Sequence, residues 1–386
     1  MSRDPEQEYF ADGITEDIIT ALSKFHDFFV TARNSTFTYK GKAIDVTQVG
    51  KDLGVRYVLE GSVRRAGDRL RNTAQLIDAQ SGNHIWAERY DGNVTDIFEL
   101  QDDITARIVG ALVPELAAAE RTRALRRPPE DISTWLLYQR AMSQVDQIST
   151  DANAQATTLP LQVIAADPGF VPAYAHLAVL RAQAAVHAYA KDQDAALAEA
   201  REYGMHAVSR DQNDAVAHLG LGIASMFRGE GEIAIPEIET SIELNPNFAR
   251  AFVWLGFAHK WCCGDTPDIE IQNYNMALRL SPRDPMRWFC LMHKGSALRM
   301  QGRHEEAVGL CQTARRLPGG GFLPLIHLTV ALVHAGQMEE ARQVVSELNR
   351  VRPELTLTLV RHMLRTLCPV TLEPFLFGLS KAGLPK

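Results

Sequence analysis

The sequence predicts an α/β amino-terminal domain followed by an all-α solenoid, an α-α superhelix of stacked helix pairs. Apolar and polar residues alternate at the strand period within the first 120 residues, whereas the remainder carries helical periodicity. Proline recurs at positions 246, 282, 318 and 353, at intervals of 35 or 36 residues, and such spacing is typical of repeat architectures.

The clearest repeat is the 34-residue stretch Ala215–Phe248, which reads as two short amphipathic helices with a glycine-bearing turn between them. Gly222 lies on the first helix, Ala234 follows twelve positions later on the second, and Pro246 closes the unit. Small residues are needed where two helices approach closely, and proline cannot continue a helix. This arrangement resembles the tetratricopeptide repeat (TPR), whose units bury their apolar faces only when stacked.

Further copies follow in register. The unit Ala249–Pro282 has a two-residue insertion near Cys263-Gly264, and Glu270 stands at a helix position where a small residue is expected. Trp288–Gly319 and Phe322–Pro353 are later copies, Val171–Asp214 is a longer earlier copy, and Ile132–Pro168 is degenerate. The residues expected at close helix contacts or unit ends are Gly222, Ala234, Pro246, Gly256, Ala277, Pro282, Gly295, Ala307 and Ala341.

The first 120 residues predict elements in the order αβαβββα. The helices are expected at Ile14–Phe25, at the residues between Asp45 and Gly54, and at Thr95–Glu120. The strands are expected at Phe28–Val30, Arg56–Arg65, Arg69–Asp78 and His84–Tyr90, with hairpin turns joining the last three.

Four stretches of this region resemble the TolB amino-terminal-like domain of bacterial signalling proteins: EYFADGITEDIITALS, FFVTARNSTFTYKG, VGKDLGVRYVLEGSVRRAGDRLR and TAQLIDAQSGNHIWAERYDG. In that family the domain precedes TPR arrays and follows an output domain, commonly a class III adenylate/guanylate cyclase and sometimes a winged-helix DNA-binding domain. The ending LEPFLFGLSKAGLPK resembles the tail of the cyclase-linked members. The family domain opens with an apolar strand before the DPEQEYFADG stretch, and here Met1 stands after that strand.

These patterns predict four regions. Residues 1–120 form the TolB-like domain without its first strand, and residues 121–130 form a basic, proline-ended linker. Residues 131–353 form a TPR array of about six units, and residues 354–386 form a carboxy-terminal capping segment.

Composition and motifs argue against several functions. The net charge of −7 disfavours nucleic-acid binding by this chain, and the amino end lacks the features of a signal peptide. No stretch is long and apolar enough to span a membrane, and five cysteines without a disulfide pattern fit the cytoplasm. The metal-binding and transition-state motifs of class III cyclases are not recognisable, so no catalytic residues and no cofactor are expected.

His259-x-x-Cys262 and Cys290-x-x-His293 together are a candidate metal site. In repeat register the two pairs are offset by about eight helical positions, or roughly 12 Å, which is too far for one zinc ion. Core packing is therefore the preferred interpretation, and no metal is expected.

The remaining surface is the groove lined by the first helix of each TPR unit. Phe257 and Trp261 are four apart on one helix and are expected to anchor a partner, because aromatic residues carry much of the energy of interfaces. A clamp for a carboxylate terminus is not expected, since the positions that would carry Lys and Asn are mostly apolar. The predicted groove residues are Arg250, Val253, Phe257, Lys260, Trp261, Met292 and Arg299.

An apolar groove carrying a few cations suits an amphipathic helix of a protein partner. The alternative is that the chain's own carboxy-terminal helices fill the groove. The sequence likewise allows three functions. The chain is a non-catalytic binding module, the regulatory part of a class III cyclase whose catalytic domain lies upstream, or the effector part of a TPR-containing transcriptional regulator. The oligomeric state is left open.

Overall fold

The computed structural model describes residues 5–25, 30–42, 44–66, 69–93, 97–125, 137–138, 150–264, 266–282 and 284–386. These residues fall into two compact units, Met1–Glu120 and Arg121–Lys386. An α/β unit is followed by an all-α unit, so the predicted fold class is confirmed.

The first unit packs helices against a three-stranded antiparallel sheet of order β1-β2-β3. Its register pairs Tyr57 with Asp78 and Gln75 with Ala87. The helices and strands of the unit are α1 (Pro5–Ser23), α2 (Arg33–Thr36), a 3-10 turn (Phe37–Tyr39), α3 (Val46–Leu53), β1 (Tyr57–Ala66), β2 (Arg69–Asp78), β3 (Asn83–Asn93) and α4 (Ile97–Leu125).

One face of the sheet is covered by α1 and α4. Leu70 and Leu76 of β2 pack there with Trp86 of β3, and Ile104 and Ile108 of α4 complete the apolar layer. The alternation of buried and exposed residues along β2 follows the period of two that the sequence predicts.

Helix α3 begins and ends as its sequence dictates. The Asp45 side chain accepts a hydrogen bond from the Thr47 amide, which satisfies a free donor at the helix start. Gly54 ends the helix in the left-handed conformation, with φ of +67°.

Helix α1 begins at Pro5, nine residues before the predicted start at Ile14. Asp12 and Gly13, the two residues before the predicted helix, therefore lie inside the observed one. Phe10 extends the buried face one turn before Ile14 and Ile18, and this tertiary packing outweighs the cost of about 1 kcal/mol for glycine in a helix.

Three predicted features lie wholly or partly outside the described residues. They are the strand at 28–30, the second half of the linker at 121–130, and the first helix of the degenerate repeat. The first five linker residues continue α4, which ends at Leu125.

The second unit is a succession of antiparallel helix pairs after α5 (Thr150–Ala166). The first helix of each pair is called its A helix and the second its B helix. The pairs are α6 (Val171–Val186) with α7 (Gln193–Arg210), α8 (Ala215–Phe227) with α9 (Gly231–Leu244), α10 (Ala249–Ala258) with α11 (Pro267–Leu280), α12 (Arg287–Met300) with α13 (His304–Arg316), and α14 (Leu323–His334) with α15 (Met338–Val351).

Glycine lies where the helices of a pair come closest. A Cβ atom at Gly222 would stand 2.5 Å from Ile238 Cγ1 and 3.0 Å from the Ala234 carbonyl oxygen. At Gly295 it would stand 3.1 Å from the Ala307 carbonyl oxygen. Ala234, Ala307 and Ala341 are all fully buried.

The predicted insertion near Cys263-Gly264 appears as a π-helix, His259–Cys263, which continues α10 and ends at Gly264 with φ of +91°. The wider turn absorbs extra residues without breaking the helix, as π-turns commonly do.

Residues 354–386, called the tail, form two further helices after the last pair. These are α16 (Leu357–Met363) and α17 (Pro369–Ala382).

We predict that Gly222→Leu lowers the free energy of unfolding by about 1–3 kcal/mol, because the new side chain overpacks the contact with α9. Gly229→Ala is the control. Gly229 lies in the turn with φ of +80°, so alanine there costs only about 1 kcal/mol of backbone strain. Urea unfolding measures both, and equal midpoints for wild type and Gly222→Leu would contradict the assigned contact.

Candidate functional site: the A-helix surface and the tail

The surface formed by the A helices α8, α10, α12 and α14, together with the π-helix, is called the A-helix surface. Helix α17 packs chiefly against α14, and the segment before it contacts Phe227 at the end of α8 and Trp261 of the π-helix. The Trp261 indole N–H donates to Thr366 Oγ1 at 3.2 Å, and the Thr366 hydroxyl donates to the Phe227 carbonyl oxygen at 2.9 Å. The Cys368 amide donates to the Trp261 carbonyl oxygen at 2.9 Å. These bonds fix the start of α17 across two neighbouring repeats.

Helix α17 is amphipathic and buries its apolar side. A Cβ atom at Gly378 would stand 3.0 Å from Val330 Cγ1 of α14, so this glycine permits a close approach of the two helices. Each fully buried Leu or Phe side chain contributes about 1.5–3 kcal/mol relative to exposure. The buried apolar residues of this side include Leu372, Phe375, Leu376 and Leu379.

The sequence leaves two occupants open for the groove, a partner helix and the chain's own carboxy-terminal helices, and the structure shows the tail in contact with Trp261 of that surface. Arg250 is partly exposed, with its Nε 3.7 Å from Asp284 Oδ2. The other six predicted groove residues are buried, with exposed fractions of 6% or less: Val253, Phe257, Lys260, Trp261, Met292 and Arg299. Trp261 is covered by Thr366 of the tail, whereas Phe257 packs against Phe289 of the neighbouring A helix.

Phe257 and Trp261 are therefore core residues in this conformation. The ring centroid of Phe257 lies 5.2 Å from that of Phe289 and 5.3 Å from that of Trp261. Replacing a buried Phe or Trp by Ala costs about 3–5 kcal/mol, so the two side chains cannot be removed without destabilising the array.

A cluster of ionisable side chains lies beneath the tail. Lys260 Nζ donates to Ser296 Oγ at 2.8 Å and to His293 Nδ1 at 3.3 Å. The Glu270 carboxylate is fully buried, and Arg299 is 6% exposed. These five residues, together with His327 and His334, are called the ionic cluster.

Burial shifts the protonation equilibria of this cluster. Desolvation lowers the pKa of Lys260 to about 8, against the opposing effect of the Glu270 carboxylate. Burial also lowers the pKa of Arg299. Burial and the nearby Lys260 charge hold the pKa values of His293 and His327 well below their usual range.

At neutral pH Lys260 and Arg299 are therefore cations that the Glu270 side chain acts on, and the imidazoles of His293 and His327 are neutral. A neutral His293 ring can accept the hydrogen bond from Lys260. Arg299 likewise donates to His334 Nε2 at 3.4 Å.

Two departures from the repeat pattern lie at the cluster. Lys260 lies within the π-helix and is buried, and Glu270 occupies the small-residue position of α11. The sequence shows both departures, but nothing in the spacing indicates that the two side chains act on each other. Their electrostatic interaction explains why a carboxylate is tolerated at a position that normally requires a small residue.

Both residues of the second half of the candidate metal site, Cys290 and His293, have other contacts. Cys290 Sγ lies 3.6 Å from the Tyr274 carbonyl oxygen, and His293 accepts from Lys260. Within the described ranges, no group of three or more His, Cys, Asp or Glu side chains is arranged to hold a metal ion. Nor is any helix in those ranges long and apolar enough to cross a membrane.

No family model matches the chain. It is 43% identical over 224 residues to a protein of Rhizobium meliloti (strain 1021) named "Putative adenylate cyclase 3". The match covers 58% of this chain and 38% of that protein, so the chain spans well under half of its relative's length.

Several solved structures also match, each at 15% identity. The match to Pseudomonas aeruginosa pilF covers 64% of this chain and 96% of that one, with a TM-score of 0.40. The match to YrrB, described as a TPR protein with an unusual peptide-binding site, covers 53% of this chain and 96% of that one, with a TM-score of 0.33. The match to the APC/C hetero-tetramer Cut9-Hcn1 covers 69% of this chain and 49% of that one, with a TM-score of 0.48.

We predict that Glu270→Gln destabilises the chain more than Lys260→Met. Loss of the carboxylate leaves two buried cations uncompensated, which costs about 3–5 kcal/mol. Loss of Lys260 leaves Arg299 and Glu270 balanced and removes two hydrogen bonds, which costs roughly 1–2 kcal/mol. Urea unfolding at pH 7 measures both variants, and the reverse order would contradict the charge balance described for this cluster.

Proposed function

We propose that this chain is a cytoplasmic, non-catalytic signalling module that binds a protein partner through its TPR array, as the regulatory region of an adenylate-cyclase-type protein. The 43% identity to the Rhizobium meliloti relative supports the link to cyclases. The relative's length leaves room for a catalytic region that this chain does not match, so the alternative is that the chain is one part of such a cyclase.

One observation carries the binding proposal. The A-helix surface already holds an amphipathic helix, α17, through buried apolar side chains and hydrogen bonds to Trp261 and Phe227. A surface that fits one helix is suited to another of the same shape, and TPR-like arrays present such surfaces. The partner we propose is therefore a helical segment that takes the place of the tail.

We also propose that the first unit is a TolB amino-terminal-like domain. The four sequence stretches support this assignment, as does the succession of a capped helix, three antiparallel strands and a long helix. Its role would be to couple the array to a neighbouring output domain.

We predict that the purified chain forms no cyclic AMP or cyclic GMP from ATP or GTP in the presence of Mg²⁺ or Mn²⁺. The reason is that recognisable metal-binding and transition-state motifs are absent from the sequence. Product analysis by mass spectrometry checks this, with a known cyclase as the positive control. Turnover above a mock preparation would contradict the non-catalytic assignment.

Binding at the A-helix surface is tested with a fluorescent peptide spanning residues 366–384. The tethered tail competes at an effective concentration in the millimolar range, so the wild-type chain should bind this peptide weakly. Phe375→Ala loosens the tail without altering the surface beneath it. We predict at least about tenfold tighter binding to that variant, measured by anisotropy.

Phe377→Ala is the matched control, since Phe377 is 56% exposed on the opposite side of α17. It should bind the peptide as weakly as wild type. If the Phe375→Ala chain remains folded by circular dichroism and fails to bind the peptide, the A-helix surface does not exchange helices and the proposed function is wrong.

A further inference from the structure

The tail covers the ionic cluster without balancing its charge. The cluster contains two cations, Lys260 and Arg299, and Glu270 supplies the carboxylate that acts on both. The tail has two acidic residues of its own, and each is engaged elsewhere. Glu373 is exposed and bonded to Arg361, and Glu354 pairs with Arg352. Tail docking therefore encloses a net positive charge, which is unfavourable in a medium of low dielectric constant.

A series of side-chain contacts connects Lys260, through two imidazole rings of the cluster, to one residue of the tail. The Phe375 ring centroid lies 5.0 Å from that of His327, and the His327 centroid lies 4.8 Å from that of His293. His293 in turn accepts the hydrogen bond from Lys260. Phe375 is thus the tail side chain that faces the cluster.

A second chain of contacts reaches the adjacent residue. Arg299 donates to His334 Nε2, and the His334 ring hydrogen-bonds the Pro374 carbonyl oxygen. Both cations therefore connect, each through imidazole, to neighbouring residues of α17. The tail offers them a carbonyl oxygen and a phenyl ring but no negative charge.

We propose that the segment which displaces the tail is an acidic amphipathic helix of another protein, with a carboxylate where the tail carries Phe375. This inference rests on the proposed function and specifies the chemistry of the partner. The carboxylate would accept hydrogen bonds from the imidazoles and neutralise the excess charge of Lys260 and Arg299. Charge-assisted bonds in such a site are stronger than neutral ones, so the acidic helix has an advantage that the tail lacks.

The complete chain provides a test that needs no partner. Phe375→Glu, Phe375→Gln and Phe375→Lys place a negative, a neutral and a positive side chain against the cluster. Amide hydrogen exchange of residues 366–384 measures the opening of the tail in each variant. We expect the opening constant of the Glu variant to lie about tenfold or more below that of the Gln variant, with the Lys variant opening most.

The same three variants in a Lys260→Met background separate the effect of the charge at position 375 from the effect of side-chain shape. In Lys260→Met chains the advantage of Glu over Gln should shrink several-fold, because a cation of the cluster has been removed. Circular dichroism and exchange in α8 and α12 verify that the array stays folded. Equal opening of the Glu and Gln variants overturns the proposal, as does an advantage of Glu that persists unchanged in Lys260→Met.

Peptides distinguish this inference from the proposed function. Peptides of residues 366–384 with Glu or Gln at position 375 are titrated onto the Phe375→Ala chain. About tenfold tighter binding of the Glu peptide supports the acidic partner. Equal binding of both overturns the acidic preference and leaves helix exchange intact, whereas absence of binding by the Glu, Gln and unaltered peptides overturns the proposed function.

Discussion

The second unit depends on the distance at which the helices of each pair can approach. Gly222 and Gly295 bring their A helices against the backbone of the following B helices, where a Cβ atom would stand 3.0–3.1 Å from a carbonyl oxygen and closer still to Ile238 or Cys311. Because these contacts set the separation within each pair, they also set where the A helices can meet their neighbours. The aromatic layer between α10 and α12, with Phe257 against Phe289, follows from that spacing.

The pair α10–α11 departs from this rule in a coupled way. Glu270 replaces the expected small residue of the B helix, and Lys260, within the π-helix, is buried. Lys260 without Glu270 would be buried beside Arg299 with no opposite charge, whereas the Glu270 carboxylate acts on both cations and balances only one of them. The irregular repeat thus contributes buried ionisable side chains to the array, whereas the regular repeats contribute apolar packing surfaces.

The sequence was sufficient for features that depend on local spacing. The helix pairs, the close glycine contacts and the Asp45 cap all follow from residue types at fixed intervals. It was insufficient for features that depend on contacts between distant residues. No periodicity indicates that Thr366 meets Phe227 and Trp261, more than 100 positions earlier, so the predicted groove residues could not be recognised as buried. The π-helix could not be predicted for a related reason. An insertion in the repeat shows that extra residues are present, but not the helical geometry that accommodates them.

The tail both completes the apolar core and occupies the surface that an external helix would use. A tethered segment has an effective concentration in the millimolar range, so a free competitor of equal intrinsic affinity would seldom displace it. Displacement therefore requires an interaction that the tail cannot make, since added apolar area would only match what Leu372 and Leu379 already provide. The uncompensated charge beside His327 and His334 offers such an interaction. Because of this charge, replacement of the tail by another helix depends on whether that helix carries a carboxylate. Helices that offer only apolar side chains do not displace the tail from the A-helix surface.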